Sequence, residues 1–353
     1  MRLRRTAGIV AAVLTVPVLG VLLLGLMFGS AQALSQRIAF QILTGSTGGT
    51  YFPVGQLIAG LLSHPPGVER CERAQVCGPS GVIITARTTD GAVANVLSVN
   101  AGRAESGLAQ GDVIAQAVAG EGAFRKAGKQ SAIRVIADLF PEDVHLLVAR
   151  KAKIAGVADL KGKRVSLGAD GSGTSVTARA VLAAYGIAEW RITAHHEASD
   201  VDARLLQQGQ LDAFFFVGGR PVGLVDDLLA RGIARLVPID GPGRDKLIKT
   251  VPSLSPDIIP AGSYRNTPAV QTVSLRALWI VNASQPDALI YGLAKALFDP
   301  GNRAALDEGL RASGLIRLDT AARNLPAPLH PGALRFYREA GRLPQPNPKA
   351  GKI

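Results

Sequence analysis

The sequence predicts an α/β protein built as two lobes, on three observations. Short strand-like runs alternate with helical runs through most of the chain, as in sheets covered by helices. Two strand–glycine-turn–helix units, at Thr44–Thr50 and Ala169–Ser175, fall in different parts of the chain. At 353 residues the chain also exceeds one compact domain, and two units of about 150 residues are the natural division.

Residues 1–33 are set apart from the fold. Arg2, Arg4 and Arg5 make a basic start, Ala7–Phe28 is almost wholly apolar, and Ala31-Gln32-Ala33 has the small-x-small form that signal peptidase cuts. A cleaved leader and an exported protein are expected. The apolar run is also long enough to span a bilayer, so an uncleaved anchor is the competing reading.

Ile38, Phe40 and Ile42 alternate within 37–43 and predict a first strand. Thr44-Gly45-Ser46-Thr47-Gly48-Gly49-Thr50 is a glycine-rich turn. After it Val54, Leu57, Ile58, Leu61 and Leu62 share one helical face, with Pro53 suited to the first helical position. Val82–Ala86, Ile133–Ala137 and His145–Ala149 read as separate buried strands. Lys163–Gly168 is a strand leading into the second turn, followed by a helix with Val176, Ala180, Val181 and Ala184 inward. Ala213–Val217 and Thr272–Val281 are further strands, and helices dominate after them. The last twenty residues read as a docked or frayed tail.

In each glycine unit a helix opens from glycines flanked by Thr and Ser. Free backbone N–H groups and the helix dipole make such a place attractive to an anion, and glycine allows close approach of the backbone. One unit per lobe would form a cleft that closes on a small anion.

Composition narrows the function. With 47% hydrophobic and 19% charged residues the chain is not disordered, and 5% aromatic residues leave little for base stacking. The net charge of +12 falls to +9 once the three leader arginines are removed. The basic residues are dispersed, so no nucleic-acid partner is expected. Cys71 and Cys77 stand six apart in a loop bounded by Pro65-Pro66 and Gly78-Pro79. In an oxidising compartment they are expected to form a disulfide; the spacing is not that of a C-x-x-C redox pair.

Catalytic signatures are missing. Gly45–Gly49 lacks the G-K-[ST] ending of a phosphate-binding loop, and Gly168–Gly173 is not G-x-G-x-x-G. Asp170 breaks a G-x-S-x-G elbow at Ser172. His195 and His196, adjacent on a strand, point opposite ways and do not chelate together. The reading is of a protein that is not an enzyme, with no metal and no cofactor.

Thr44-Gly45-Ser46-Thr47-Gly48-Gly49-Thr50-Tyr51-Phe52-Pro53 resembles the glycine loop of the TAXI family, the solute receptors of TRAP transporters. The likeness continues through Thr88–Asn95, Gly102, Gln110-Gly111-Asp112, Glu142-Asp143-Val144-His145 and Asp159–Val165. It extends to Gly171-Ser172-Gly173-Thr174, Asp212–Phe216 with Gly218 and Pro221, Ser263-Tyr264 and Leu329–Ala333. Asp90-Gly91-Ala92 departs from the family's Gly-Gly-Ser, and Gly111 replaces a Ser. The insertion with Cys71 and Cys77 occurs in a subset of members.

The resemblance implies a periplasmic binding protein of the second type, with two Rossmann-like lobes joined by crossing hinge strands. The lobes would be 34–145 with 266–353, and 146–265. It implies a dicarboxylate or amino-acid ligand such as glutamate or 2-oxoglutarate, and a TRAP membrane subunit as partner. The expected ligand contacts are Gly48, Gly49, Thr50 and Tyr51 from one lobe and Ser172, Gly173, Thr174 and Ser175 from the other, with Gln110 and Gly218 at the side. Competing structural readings make Tyr51 a packed capping aromatic, Thr174 a plain N-cap, and Gln110 and Asp112 part of a surface turn. His145 reads as a structural contact near the hinge. A ligand-sensing adaptor for a signalling partner and a two-lobed enzyme are the rival functions.

Overall fold

The computed structural model describes residues 37–345 apart from 70, 72 and 73. The expected leader and the final residues 346–353 lie outside the described residues. The chain runs β1 (Ile38–Leu43), α1 (Tyr51–Leu62), β2 (Val82–Arg87), α2 (Ala92–Asn100), β3 (Ser106–Gln110), α3 (Gly111–Ala119) and β4 (Ile133–Ala149). It continues through β5 (Arg164–Ser166), α4 (Gly173–Ala184), β6 (Thr193–His195), α5 (Ser199–Gln207), β7 (Ala213–Gly218), α6 (Gly223–Ala230) and β8 (Ala234–Val237). The remaining elements are α7 (Gly241–Thr250), β9 (Ser255–Ile259), β10 (Val270–Asn282), α8 (Asp287–Leu297), α9 (Arg303–Glu308), α10 (Arg311–Gly314) and α11 (Pro331–Glu339). Among the described residues no helix is long and apolar enough to cross a membrane.

One ten-stranded sheet takes the order β2-β1-β3-β10-β4-β7-β5-β6, with β8 added on β4 and β9 on β10. At one end β1 lies parallel to β2 and β3. At the other end β5 lies parallel to β6 and β7. The two long antiparallel strands β4 and β10 join them: Ile133–Asp143 of β4 pair with β10, and Asp143–Ala149 with β7 and β8.

The hydrophobic core divides along these two strands. Val135 to Phe140 and Ala277 to Val281 pack into the first lobe, where the Phe40 ring meets Trp279 edge-on at 6.3 Å. Val144, Leu146, Val148, Val273 and Leu275 pack into the second. The cores therefore part between Phe140 and Val144 on β4 and between Leu275 and Ala277 on β10. The division inferred from sequence falls at 145/146 and 265/266. In the second lobe Phe215 and Val217 belong to one face of the sheet, Phe214 and Phe216 to the other. Both faces are covered, which is why β7 reads as an unbroken apolar run.

Four local expectations are corrected. Ile133–Ala137 and His145–Ala149 are ends of one 17-residue strand, β4. Its polar middle, Pro141-Glu142-Asp143, reads as a break but pairs in regular register with Arg276, Leu275 and Ser274 of β10; the two register shifts of the ladder fall before it, at Ile136 and Leu139. Pro53 is the third residue of α1, not the first. It is still in the turn whose N–H groups have no helical partner. In α4 the buried side chains are Ser175, Thr177, Ala178, Val181 and Leu182, so only Val181 of the expected inner set is fully buried. The start of the supposed tail is the end of α11, with Phe336 and Tyr337 buried.

Candidate functional site

The two glycine turns meet across a cavity of about 120 Å³ between the lobes. That space takes on the order of ten water-sized atoms, which suits a small metabolite.

The first turn is anchored from below. The Thr44 hydroxyl donates to the Arg87 carbonyl at 2.7 Å. The buried Asn95 amide donates to the carbonyls of Thr44 at 2.6 Å and Leu108 at 2.8 Å, and its oxygen accepts from the Thr89 hydroxyl at 2.6 Å. Asn95 thus ties the ends of β1 and β3 to α2 and fixes the entrance to α1. In the second lobe the Ser172 hydroxyl caps α4 by accepting from the Ser175 N–H at 3.1 Å. Ser172, not Thr174, is the N-cap.

Five helices open on the cavity: Gly49, Thr50 and Tyr51 of α1, Gly91 and Ala92 of α2, Gln110 before α3, Ser172–Thr174 of α4, and Ala198 and Ser199 of α5 line it. Each helix N-terminus brings a partial positive charge to the space. Among the described residues, no Lys, Arg or His side chain lines it. Three hydroxyls at the wall each already accept a backbone N–H. Thr50 accepts from Gly219 at 3.1 Å, Thr174 from Val217 at 3.2 Å, and Ser172 from Ser175. A hydroxyl engaged this way keeps its own proton as a donor.

Carboxyl groups also line the space, and burial raises the pKa of two of them, Glu142 and Asp202. Burial pushes Glu142 up to about 8, against the hydrogen bond from the Tyr51 hydroxyl at 2.8 Å; the nearby Asp112 and Asp143 add to the rise. Asp202 is fully buried and pushed up to about 7 by that burial, against the opposing Ser166 hydroxyl and with help from Glu197 and Asp200. Neither Asp202 oxygen meets a partner in hydrogen-bonding geometry, and the same holds for Oε1 of Gln110. Asp90 and Glu197 complete the acidic lining.

The lobes touch directly around the cavity. The Gly171 carbonyl accepts from the Val93 and Ala94 N–H groups at 3.1 and 3.2 Å, so one lobe caps a helix of the other. The Thr177 hydroxyl donates to Asp112 at 2.7 Å, and the Ser46 and Ser199 hydroxyls lie 3.2 Å apart. Gly91 has a φ of 120° and sits where a Cβ would lie 3.1 Å from the Ser172 Cα. A Cβ on Gly173 would fall 1.3 Å from the Gln110 Oε1.

Of the residues expected to bind ligand, Gly49, Thr50, Tyr51, Gln110, Ser172, Gly173 and Thr174 line this one cavity. Gly48, Ser175 and Gly218 do not. Gly48 faces an adjoining groove with Pro221 and Leu224. Ser175 is buried, with its hydroxyl held by Arg179. Gly218 lies behind Thr50, whose Oγ1 a Cβ there would approach to 2.8 Å. Gln110 and Asp112 are not on a surface turn: both are buried at the junction of β3 and α3. Tyr51 is packed and also faces the cavity. His145 is buried between Phe216 and Tyr264, its Nε2 2.7 Å from the Tyr264 hydroxyl.

Glu142 and Asp202 carry no mark in the sequence as wall residues. Glu142 belongs to a stretch that resembles the hinge crossing, and Asp202 follows Ser199 at the spacing of an ordinary first-turn acid. Cys71 and Cys77 are joined as a disulfide.

Several solved structures are similar to this chain, and the first of these shares its architecture. MatC from Rhodopseudomonas palustris, solved with bound malate, is 14% identical over 86% of this chain and 97% of its own, with a TM-score of 0.52. The alkanesulfonate-binding protein SsuA from Xanthomonas axonopodis pv. citri, bound to MOPS, is 18% identical over 88% of this chain and 87% of its own, with a TM-score of 0.42. The periplasmic binding protein BugD is 11% identical over 86% and 94%, with a TM-score of 0.49. The fold is that of a two-lobed periplasmic binding protein. The NMT1-like family profile matches residues 42–341, and the chain belongs to that family.

Proposed function

We propose that this protein is an extracytoplasmic solute receptor, exported to the periplasm by a cleaved leader. It captures a small organic anion between its lobes and hands it to a TRAP-type secondary transporter. The chain would then be a TAXI-type receptor within its family, with a dicarboxylate or amino acid such as glutamate or 2-oxoglutarate as ligand. It acts by binding, without catalysis.

The observation that carries this reading is the set of hydroxyls of Thr50, Ser172 and Thr174, each accepting a backbone N–H and so left as a donor. They come from both lobes and stand where helices open on the cavity. A carboxylate there is met by donors whose orientation is fixed in advance, with no cationic side chain among the described residues lining the space. Gly49, Tyr51, Gln110 and Gly173 complete the proposed contacts. Ligand that touches both lobes favours the closed form, which the membrane subunit would recognise.

The test is a thermal-shift screen of the mature protein against dicarboxylates and amino acids. A true ligand raises the melting temperature progressively with its excess over Kd. Thr174→Phe fills the wall and removes that rise while leaving the circular dichroism of the parent. A rise undiminished in that variant refutes the clamp.

A further inference from the structure

The wall that offers donors to an anion also holds poorly served acceptors. Asp202 is 0% exposed and lines the cavity at the start of α5; the Ser166 hydroxyl faces its carboxyl, but neither oxygen has a partner in full hydrogen-bonding geometry. A buried carboxyl left without a partner is costly whether charged or neutral. Gln110, from the opposite lobe, is 3% exposed, lines the same cavity and has its Oε1 equally unmet. Among the described residues, no Lys, Arg or His lines this space to serve them.

We propose that Asp202 is the specificity residue for a ligand ammonium group, so that the solute is an α-amino acid and not a dicarboxylate lacking nitrogen. The assignment rests on the receptor reading above and narrows its ligand. The carboxylate end of the amino acid meets the hydroxyls and helix openings of Thr50, Ser172 and Thr174. Its ammonium end meets Asp202, with Gln110 as a second acceptor from the facing lobe. Donors and acceptors on one wall match a zwitterion. A 2-oxo acid could accept only the single proton of a neutral Asp202 carboxyl, whereas an ammonium group donates to the carboxylate and satisfies its oxygens. The cavity of about 120 Å³ limits the side chain to a few heavy atoms.

Titration calorimetry on the mature protein tests this with pairs matched except at nitrogen: L-glutamate with 2-oxoglutarate, L-alanine with pyruvate, L-leucine with 4-methyl-2-oxopentanoate. For at least one pair the amino acid is expected to bind roughly ten- to a hundredfold more tightly, the range of a hydrogen bond to a charged group. Asp202→Asn, nearly the same shape, should lose most of that preference while a 2-oxo acid binds no worse than to the parent. Equal or tighter binding of the 2-oxo acid by the parent overturns the assignment, as does an unchanged ratio in Asp202→Asn. If 2-oxo acids bind and no amino acid does, the ammonium assignment falls and the receptor reading stands. If neither kind binds the parent, the receptor reading falls and the assignment falls with it. The parent's own ratio decides the matter even if the variant does not fold.

Discussion

The hydroxyl of Thr177 in α4 donates to Oδ2 of Asp112 in α3 at 2.7 Å, a buried hydrogen bond that spans the two lobes. The other carboxyl oxygen, Oδ1, takes the Val113 N–H at 2.8 Å. Removing the hydroxyl leaves half of a buried carboxyl unserved, and such a loss costs about 1–3 kcal/mol. Thr177→Val is expected to lower the melting temperature by several degrees and to enlarge the radius of gyration as the lobes part. Thr177→Ser keeps the donor and should stay close to the parent. Scanning calorimetry with small-angle scattering checks both, and a Val variant as stable and compact as the parent defeats the account.

Closure also depends on an absent side chain. The Cβ of an alanine at position 173 would fall 1.3 Å from Oε1 of Gln110 and 3.2 Å from the Ala92 Cβ. Gln110 must swing away or the lobes must stay apart. Gly173→Ala is therefore expected to weaken ligand binding by roughly tenfold or more, since each 1.4 kcal/mol of lost closure is a factor of ten. The diagnostic is the double variant Gly173→Ala with Gln110→Ala, which removes the clash and should recover compactness without restoring the Gln110 contact. Equal affinity for parent and Gly173→Ala would show that the lobes do not meet here when ligand is bound.

What the sequence reveals and hides has a physical basis. The turn at Thr44–Thr50 is legible because alternation in Ile38–Ile42 and helical spacing from Val54 to Leu62 frame it, and both signals are local. Gly48, Ser175 and Gly218 belong to legible turns yet miss the cavity, because a motif does not say which way each residue in it faces. Glu142 lies inside β4, where Pro141-Glu142-Asp143 looks like a break until β10 is known to cross it. Asp202 sits where an acid is favoured at any helix start. Its burial comes from the closing of the cavity around α5, which no short stretch encodes.

The disulfide is expected to matter for stability and not for binding. It closes a loop between α1 and β2, and the chain-entropy estimate for a loop of about seven residues is roughly 2 kcal/mol. The loop has a second anchor, since the Asn302 side chain exchanges two hydrogen bonds with the Val76 backbone, at 3.1 and 2.7 Å. Cys71→Ser with Cys77→Ser should therefore lower the unfolding free energy by about 2 kcal/mol or less, read from denaturant titration. Ligand affinity, measured alongside, should not change; a large loss of affinity would tie the loop to the cleft.

Stability should fall as pH rises from about 6.5 to 8, and Glu142 is the group to test. Its folded pKa of about 8 lies above the value of 4.5 in an unfolded chain, and Asp143 and Asp202 are each raised to about 7. For a raised acid the folded state holds the proton that the unfolded state has lost. The contribution is thus present at low pH and disappears as pH climbs through the folded pKa. Below 6.5 the trend is opposed by His145, held neutral with its pKa lowered to about 4 by burial, because the unfolded chain takes up the proton first. Well above 6.5 His145 is neutral in both states, and the raised carboxyls set the trend. Glu142→Gln keeps an acceptor for the Tyr51 hydroxyl but cannot ionise. It should match the parent near pH 6 and exceed its melting temperature near pH 8, flattening the slope. A variant whose melting profile runs parallel to that of the parent across this range would mean that Glu142 is already ionised in the folded protein.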